Sequence, residues 1–159
     1  MRHPGGGGVV LYEDGKATRV LEVSWTPQIA GLVGAKIGAA ASQPTFEFLA
    51  LFLVLLAWGS RFRHAGLAIA GDNLGALTSA LSLSGRGGLG RISRELAWRK
   101  VRQGWRYTAG HLPAEANEIA DALSRTSAPT GSECKPFPKS LARVDRQTLP
   151  DPDQWFRCQ

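Results

Sequence analysis

Three acidic residues, far apart along the chain, could act together if the fold brings them to one place. Glu47 stands in the first turn of a predicted helix, Asp72 follows a short apolar run, and Asp121 lies in the segment GHLPAEANEIADALSR, residues 110–125. Each also has a plain structural explanation: a favourable charge at a helix N-terminus, a helix cap and a solvated surface residue, respectively. Converging carboxylates would instead supply the oxygen ligands that hard divalent cations need.

The segment that contains Asp121 has the spacing of an amphipathic helix starting near residue 114. Apolar residues at i, i+3, i+4 and i+7 form a stripe that we expect to face the core, namely Ala116, Ile119, Ala120 and Leu123. Asn117, Asp121 and Ser124 fall together on the neighbouring flank. The pattern therefore places Asp121 beside a buried face without requiring it there.

The elements that would position these acids can be read from hydrophobic runs and turn signals. Asp14-Gly15 between two strand-like runs predicts a hairpin. After a connection with little regular structure at 27–44, we expect a helix from about 45 to 58, a strand at 66–71 and a helix from 73 to 83. A glycine-rich interruption follows at 84–90, then a basic helix at 91–103 and a strand at 105–111. The order β-β-α-β-α-α-β-α predicts an α/β fold with a mixed sheet flanked by helices. Ligand sites in such sheets lie beyond the carboxyl ends of parallel strands, where Asp72 is placed.

Composition indicates one globular domain followed by a tail. The chain has 159 residues, 43% of them hydrophobic, and a net charge of +6 with a sequence pI near 9.9, which favours a polyanionic partner. Residues 1–126 form the predicted domain, and residues 127–159 read as a Pro-rich tail with little regular structure. Cys134 and Cys158 form neither a disulfide framework nor a metal-ligand spacing, which favours a reducing, intracellular compartment, cytoplasmic or nuclear.

The apolar run FLALFLVLLAW, residues 48–58, is the only membrane-like segment of the sequence. Its length covers roughly half of a bilayer core, so we interpret it as a buried core helix and expect no membrane partner. No apolar h-region follows the first residues, and we infer no secretory signal.

A basic segment precedes the last strand. Between residues 86 and 106 there are seven Lys and Arg residues and one acid, Glu95, and Arg91, Arg94 and Arg102 share one side of the predicted helix. This side is a candidate phosphate-contacting face, although a solvated basic face is the common alternative. Trp98 and Trp105 could stack on bases or pack in the core.

Four successive segments together resemble the RNase H domain of retroelement reverse transcriptases, over roughly residues 4–126. They are VVLYEDG with VSWT, FEFLALFLVLLAW, AIAGDNLGAL and, most specifically, GHLPAEANEIADALSR. The resemblance implies an RNase H-like fold that hydrolyses the RNA strand of an RNA–DNA hybrid with two Mg²⁺ ions, or Mn²⁺, behind a polymerase domain upstream in a polyprotein.

The resemblance also assigns roles to particular residues. Glu47, Asp72 and Asp121 match three of the family's metal-binding acids, and His111 matches a mobile histidine that helps to move protons and release product. Asn117 matches a polar position that contacts the hybrid. For His111 and Asn117 an exposed position without such a role is the alternative interpretation.

The sequence departs from the family at its first acid. Residues 1–4 read Met-Arg-His-Pro where the family has an Asp at the end of its first, central strand, and Asp14 belongs to the hairpin turn instead. We therefore expect an N-terminally truncated domain of impaired activity, in which the runs at 9–14 and 66–71 have unpaired edges facing a gap. Another segment filling the gap is the alternative. One alternative function is a non-catalytic RNase H-like remnant that binds nucleic acid. A weaker one is another nuclease or integrase of the superfamily, which the spacing between His111 and Asp121 argues against.

Overall fold

The computed structural model of the chain describes residues 5–62, 64–71, 74–83, 85–111, 117–126 and 135–157. The strands are β1 (Gly6–Glu13), β2 (Lys16–Ser24), β3 (Leu67–Gly71), β4 (Tyr107–His111) and β5 (Asp145–Arg146). The helices are α1 (Pro27–Leu32), α2 (Gln43–Trp58), α3 (Leu74–Ser82), α4 (Gly87–Gln103) and α5 (Glu118–Ser124). The architecture is mixed α/β, with small sheets flanked by helices.

The predicted hairpin is confirmed. β1 and β2 pair antiparallel from Gly6 opposite Ser24 to Glu13 opposite Lys16. Asp14 and Gly15 form the turn with φ values of 52° and 77°, the left-handed conformation that Asp-Gly favours in a two-residue hairpin loop. The two strand-like runs and the turn dipeptide were therefore sufficient to predict this element.

The apolar run at 48–58 forms the centre of the core. In α2, Phe48, Leu49, Phe52 and Leu53 are fully buried, and Trp58 at its end is 1% exposed. The helix meets neighbours on several sides, so it is apolar around most of its circumference. By length and composition, Ala40–Trp58 could also cross a membrane, and 44% of this stretch is buried here. The buried residues lie from Phe46 to Trp58, where we expected a core helix.

The strands form two sheets among the described residues. One has the order β1-β2-β5, with β5 parallel to β2, and the other consists of β3 and β4 in parallel. The element order predicted one mixed sheet, and the absent first strand predicted a gap between the runs at 9–14 and 66–71. β1 and β3 correspond to these runs, and each pairs on one edge only within the described part of the chain.

Two helical boundaries differ from expectation. Residues 27–32 form α1 where little regular structure was predicted, because Thr26 caps the helix by accepting a hydrogen bond from Ile29 N at 3.2 Å and Pro27 fits its first turn. α4 begins at Gly87, inside the predicted interruption. A Cβ at Gly88 would lie 2.8 Å from Thr45 Cγ2, so close packing favours glycine here despite its poor helix propensity.

The C-terminal segment has short elements but large buried side chains. Apart from β5, residues 135–157 contain only the 3₁₀ turns Lys139–Leu141 and Pro152–Gln154. Trp155 is nevertheless 2% exposed, and the Phe156 ring stacks on Phe52 of α2 with centroids 5.7 Å apart. The segment therefore contributes to the same core as α2.

Candidate functional site

Glu47 and Asp121 line one small pocket. Glu47 lies in the first turns of α2 and Asp121 in the middle of α5, and the glycines that begin β1 lie between the two helices. The pocket has a volume of about 70 Å³, and Asn117 and Ser124 also line it. Two of the three sequence-predicted acids thus contribute to the same pocket.

Close packing of α5 on β1 produces this juxtaposition. A Cβ at Gly8 would lie 2.7 Å from Ala120 O and from Ser124 N, so α5 can approach the strand only where the side chain is a hydrogen. Leu123 is buried, as the predicted stripe requires, but Ile119 is 36% exposed. The prediction for Ile119 was wrong, because α5 turns this residue toward an open cleft.

The Asp121 carboxylate forms ion pairs with two basic side chains. Oδ1 accepts a hydrogen bond from Arg125 Nε at 3.0 Å, and Oδ2 accepts one from Lys135 Nζ at 2.8 Å. Burial would raise the pKa of Asp121, but the hydrogen bonds and charges of Lys135 and Arg125 outweigh it and hold that pKa below its ordinary value. Asp121 is therefore ionised and partly neutralised by its neighbours.

The sequence analysis did not identify either cation as part of the site. Arg125 lies four residues after Asp121, at the C-cap of α5, a spacing that signals an ion pair and could have been used. Lys135 comes from the segment beyond the domain boundary that we predicted at residue 126, and no periodicity indicates its contact.

Asp72 lies outside the described residues, but the residue before it does not. Gly71 ends β3 and lines a larger cleft together with Glu47 and Asn117. His111, the last residue of β4, is exposed and pairs with Gly71 in the parallel register. The carboxyl ends of β3 and β4 thus lie side by side, at the end of the sheet where the sequence predicted a site.

The donor chemistry of the pocket fits a divalent cation in part. Glu47 and Asp121 offer hard oxygen ligands, but Glu47 accepts a hydrogen bond from Gln43 Nε2 at 3.0 Å. A cation at Asp121 would compete with Lys135 and Arg125. Among the described residues, which exclude Asp72, no group of three or more potential ligands is close enough to hold an ion.

The candidate phosphate-binding arginines of α4 are placed differently from one another. Arg94 and Arg102 are exposed, and the Arg102 guanidinium lies 5.3 Å from the centroid of the Trp98 ring. Arg91 donates from Nη1 to Leu32 O and lies over the Phe156 ring at 4.7 Å. Arg91 therefore joins α4 to α1 and the C-terminal segment, whereas Arg94 and Arg102 remain accessible.

The two tryptophans that could stack on bases, Trp98 and Trp105, also differ in their exposure. Trp105 is 1% exposed, and its Nε1 lies 3.4 Å from Ser60 Oγ as a hydrogen-bond donor, so it packs in the core. Of the two, only Trp98 is partly exposed, and the Arg102 guanidinium lies over its ring.

A cleft of about 690 Å³ separates the two sheets. β1 from Gly8 forms one wall, β3 forms the other, and α2 lies between them. The gap that we expected between the runs at 9–14 and 66–71 is therefore present among the described residues.

Searches of protein-family models, curated proteins and solved structures found no match to this chain.

Proposed function

We propose that this chain is an RNase H-like domain that acts on RNA–DNA hybrids and holds Mg²⁺ with Glu47, Asp121 and Asp72. The observation that carries the proposal is that Glu47 and Asp121 line one pocket although they come from distant helices. The Gly71–His111 pair at the end of β3 adds support, because Asp72 follows Gly71 directly.

The residues around the pocket suit the parts of phosphodiester hydrolysis that a protein must supply. A divalent cation, when bound, lowers the barrier by stabilising the charge that develops on the phosphate oxygens. Asn117 offers an amide beside the two carboxylates, and the exposed His111 offers an imidazole, a group able to take up and release protons near neutral pH. Arg94 and Arg102 provide positive charge for the sugar–phosphate backbone.

A second candidate function is nucleic-acid binding without cleavage. The observation that favours it is that both oxygens of Asp121 already accept hydrogen bonds from cationic side chains. In that state the pocket is neutralised by the protein itself, while Arg94 and Arg102 stay exposed to bind phosphates. Under this alternative the chain is an RNase H-like binding module, normally associated with a polymerase domain.

Cleavage of an end-labelled RNA–DNA hybrid in Mg²⁺ or Mn²⁺ separates the two functions. The nuclease predicts metal-dependent cleavage that is lost in Glu47→Gln, Asp72→Asn and Asp121→Asn and kept in Asp145→Asn, which alters an exposed acid outside the pocket. Binding of the hybrid with no cleavage in either metal would reject the nuclease and favour the binding module.

Salt dependence of hybrid binding tests the basic face in either case. Arg94→Gln and Arg102→Gln should each weaken binding and lower the slope of log affinity against log salt by about 1 if each contacts a phosphate. The matched control is Arg143→Gln, an exposed arginine of the C-terminal segment. Equal losses in all three variants would mean that net charge, rather than the α4 face, governs binding.

A further inference from the structure

Two strands face the cleft with edges that pair with none of the described residues. β1 uses one edge for β2, and β3 uses one edge for β4. Both strands line the 690 Å³ cleft, so their other edges present backbone N–H and C=O groups toward the same space. Unpaired strand edges are templates for the addition of a further strand.

The two strands run in opposite directions along α2. The start of β1 lies beside Glu47, near the beginning of α2. Further along β1, Val10 lies opposite Val20 of β2, and the Val20 carbonyl accepts a hydrogen bond from the backbone N–H of Gln147. The Gln147 side chain in turn accepts a hydrogen bond from Trp58 at the end of α2, so β1 runs in the same direction as the helix. β3 starts just beyond that end, because Gly66 N donates to Phe62 O, and it returns along the cleft. A strand between them would be antiparallel to one neighbour and parallel to the other.

The side chains of the cleft specify what such a strand would carry. On the α2 side, Leu51, Val54 and Trp58 form an apolar wall, whereas the α5 side is formed by the partly exposed Ile119 with Asn117 and Ala120. Because successive side chains of a strand point to opposite faces, the occupant would be apolar on one face and need not be on the other.

Charge adds a second requirement. Among the described residues, the lining includes three acids, Glu47 near one end and Glu13 with Asp14 at the hairpin end, and no Lys or Arg. The chain as a whole carries a net charge of +6, so an acidic cleft runs against its overall balance. Positive residues at the two ends of the occupant would complement both groups of acids.

From these features we propose that the cleft binds an extended peptide segment of a partner protein as an additional β-strand, which joins the two sheets. The segment spans about five residues, the length of β3, alternates apolar and small polar side chains, and is basic at both ends. This interaction concerns backbone pairing between proteins and does not require the nucleic-acid function proposed above. The cleft shares Glu47 and Asn117 with the proposed metal pocket, so a basic side chain beside Glu47 would compete there with a divalent cation.

Fluorescence anisotropy of a labelled synthetic peptide with the full chain tests the proposal. The probe has five central residues alternating valine and threonine, with two lysines at each end. We expect saturable binding, and protection of alternate backbone amides in β1 and β3 from hydrogen exchange. A peptide with prolines at two central positions, which cannot donate backbone hydrogen bonds there, should not bind. A peptide with glutamates at its ends should bind more weakly.

A matched pair of protein variants locates the binding. Ile119→Arg places a charged side chain at the cleft, whereas Val101→Arg makes the same kind of change at a residue of α4 that is 84% exposed and does not line the cleft. We expect Ile119→Arg to weaken peptide binding by about tenfold or more and Val101→Arg to leave it unchanged. Equal binding by both variants, binding of the proline peptide, or no binding of the probe would overturn the proposal. So would self-association that Ile119→Arg abolishes, since the occupant would then be a second copy of the chain.

Discussion

Arg99 Nε donates to Glu95 Oε1 at 2.9 Å inside the protein, where the Glu95 side chain is 0% and the Arg99 side chain 6% exposed. Arg99 also donates to the carbonyls of Gln154 and Trp155, and Arg157 N donates to Glu95 Oε1. The pair therefore connects α4 to the C-terminal segment. Buried charges need such partners, because each would otherwise lose its hydration without compensation.

Removing one member of this pair should strongly destabilise the fold. We expect Arg99→Met to lower the free energy of unfolding by about 3 to 5 kcal/mol, because it leaves the Glu95 carboxylate buried without its cation. Urea denaturation measures the change, with Arg94→Met on the exposed side of the same helix as the control. Equal stability of the two variants would show that the pair contributes little to the fold.

Replacing Gly8 should displace α5 and with it Asp121, one of the two pocket acids. A Cβ at this position would lie 2.7 Å from Ala120 O, whereas one at Gly110 would meet no atom within 4 Å. We expect Gly8→Ala to destabilise the protein by about 1 to 3 kcal/mol, the usual cost of overpacking, and Gly110→Ala to change stability little. Thermal unfolding of both variants provides the comparison, and a neutral Gly8→Ala would mean that α5 can move away from β1 at no cost.

The ion pairs of Asp121 should contribute stability only while its carboxylate is ionised. Its folded-state pKa lies below the unfolded value of about 4, so the contribution is present above that pH and is lost as the pH falls through the lower folded-state pKa. We expect Asp121→Asn to be less stable than the wild-type chain at pH 6. At a pH low enough to protonate the wild-type carboxylate, both side chains are neutral and the two proteins should be equally stable. Because the side chain is 35% exposed, solvent screening keeps the difference small. Denaturation midpoints measured from pH 6 to pH 2 would test this, and a difference that does not shrink in acid would contradict it.

Removing the Lys135 ammonium group, which competes with a metal ion for Asp121, should strengthen metal binding at the pocket. Lys135→Met takes away the positive charge 2.8 Å from Asp121 Oδ2, so Mn²⁺ or Mg²⁺ would meet a more negative site. We expect the affinity for Mn²⁺, measured by isothermal titration calorimetry, to rise severalfold relative to the wild-type chain. Lys139→Met, at an exposed lysine outside the pocket, should leave it unchanged. A Lys135→Met affinity no higher than that of the control would place the ion away from Asp121.

The sequence predicted the elements that have a strong local pattern of apolar runs and turn residues. The hairpin around Asp14-Gly15, the apolar helix ending at Trp58 and the strands ending at Gly71 and His111 all follow from local pattern. It failed at α1 and at the start of α4, where a cap and close glycine packing decide the structure. Ile119 was misplaced because an apolar residue on a short helix faces the core only if a neighbouring element covers it.

For the candidate site, the sequence by itself determined which residues have suitable chemistry: the carboxylates of Glu47 and Asp121, the imidazole of His111 and the basic residues of α4. Only the tertiary structure decided that Glu47 and Asp121 share a pocket, that Lys135 binds Asp121, and that β1 and β3 line one cleft. The physical reason is range. Periodicity and turn residues act over a few positions of the chain, whereas the Lys135 contact and the separation of the two sheets depend on how distant segments pack around α2.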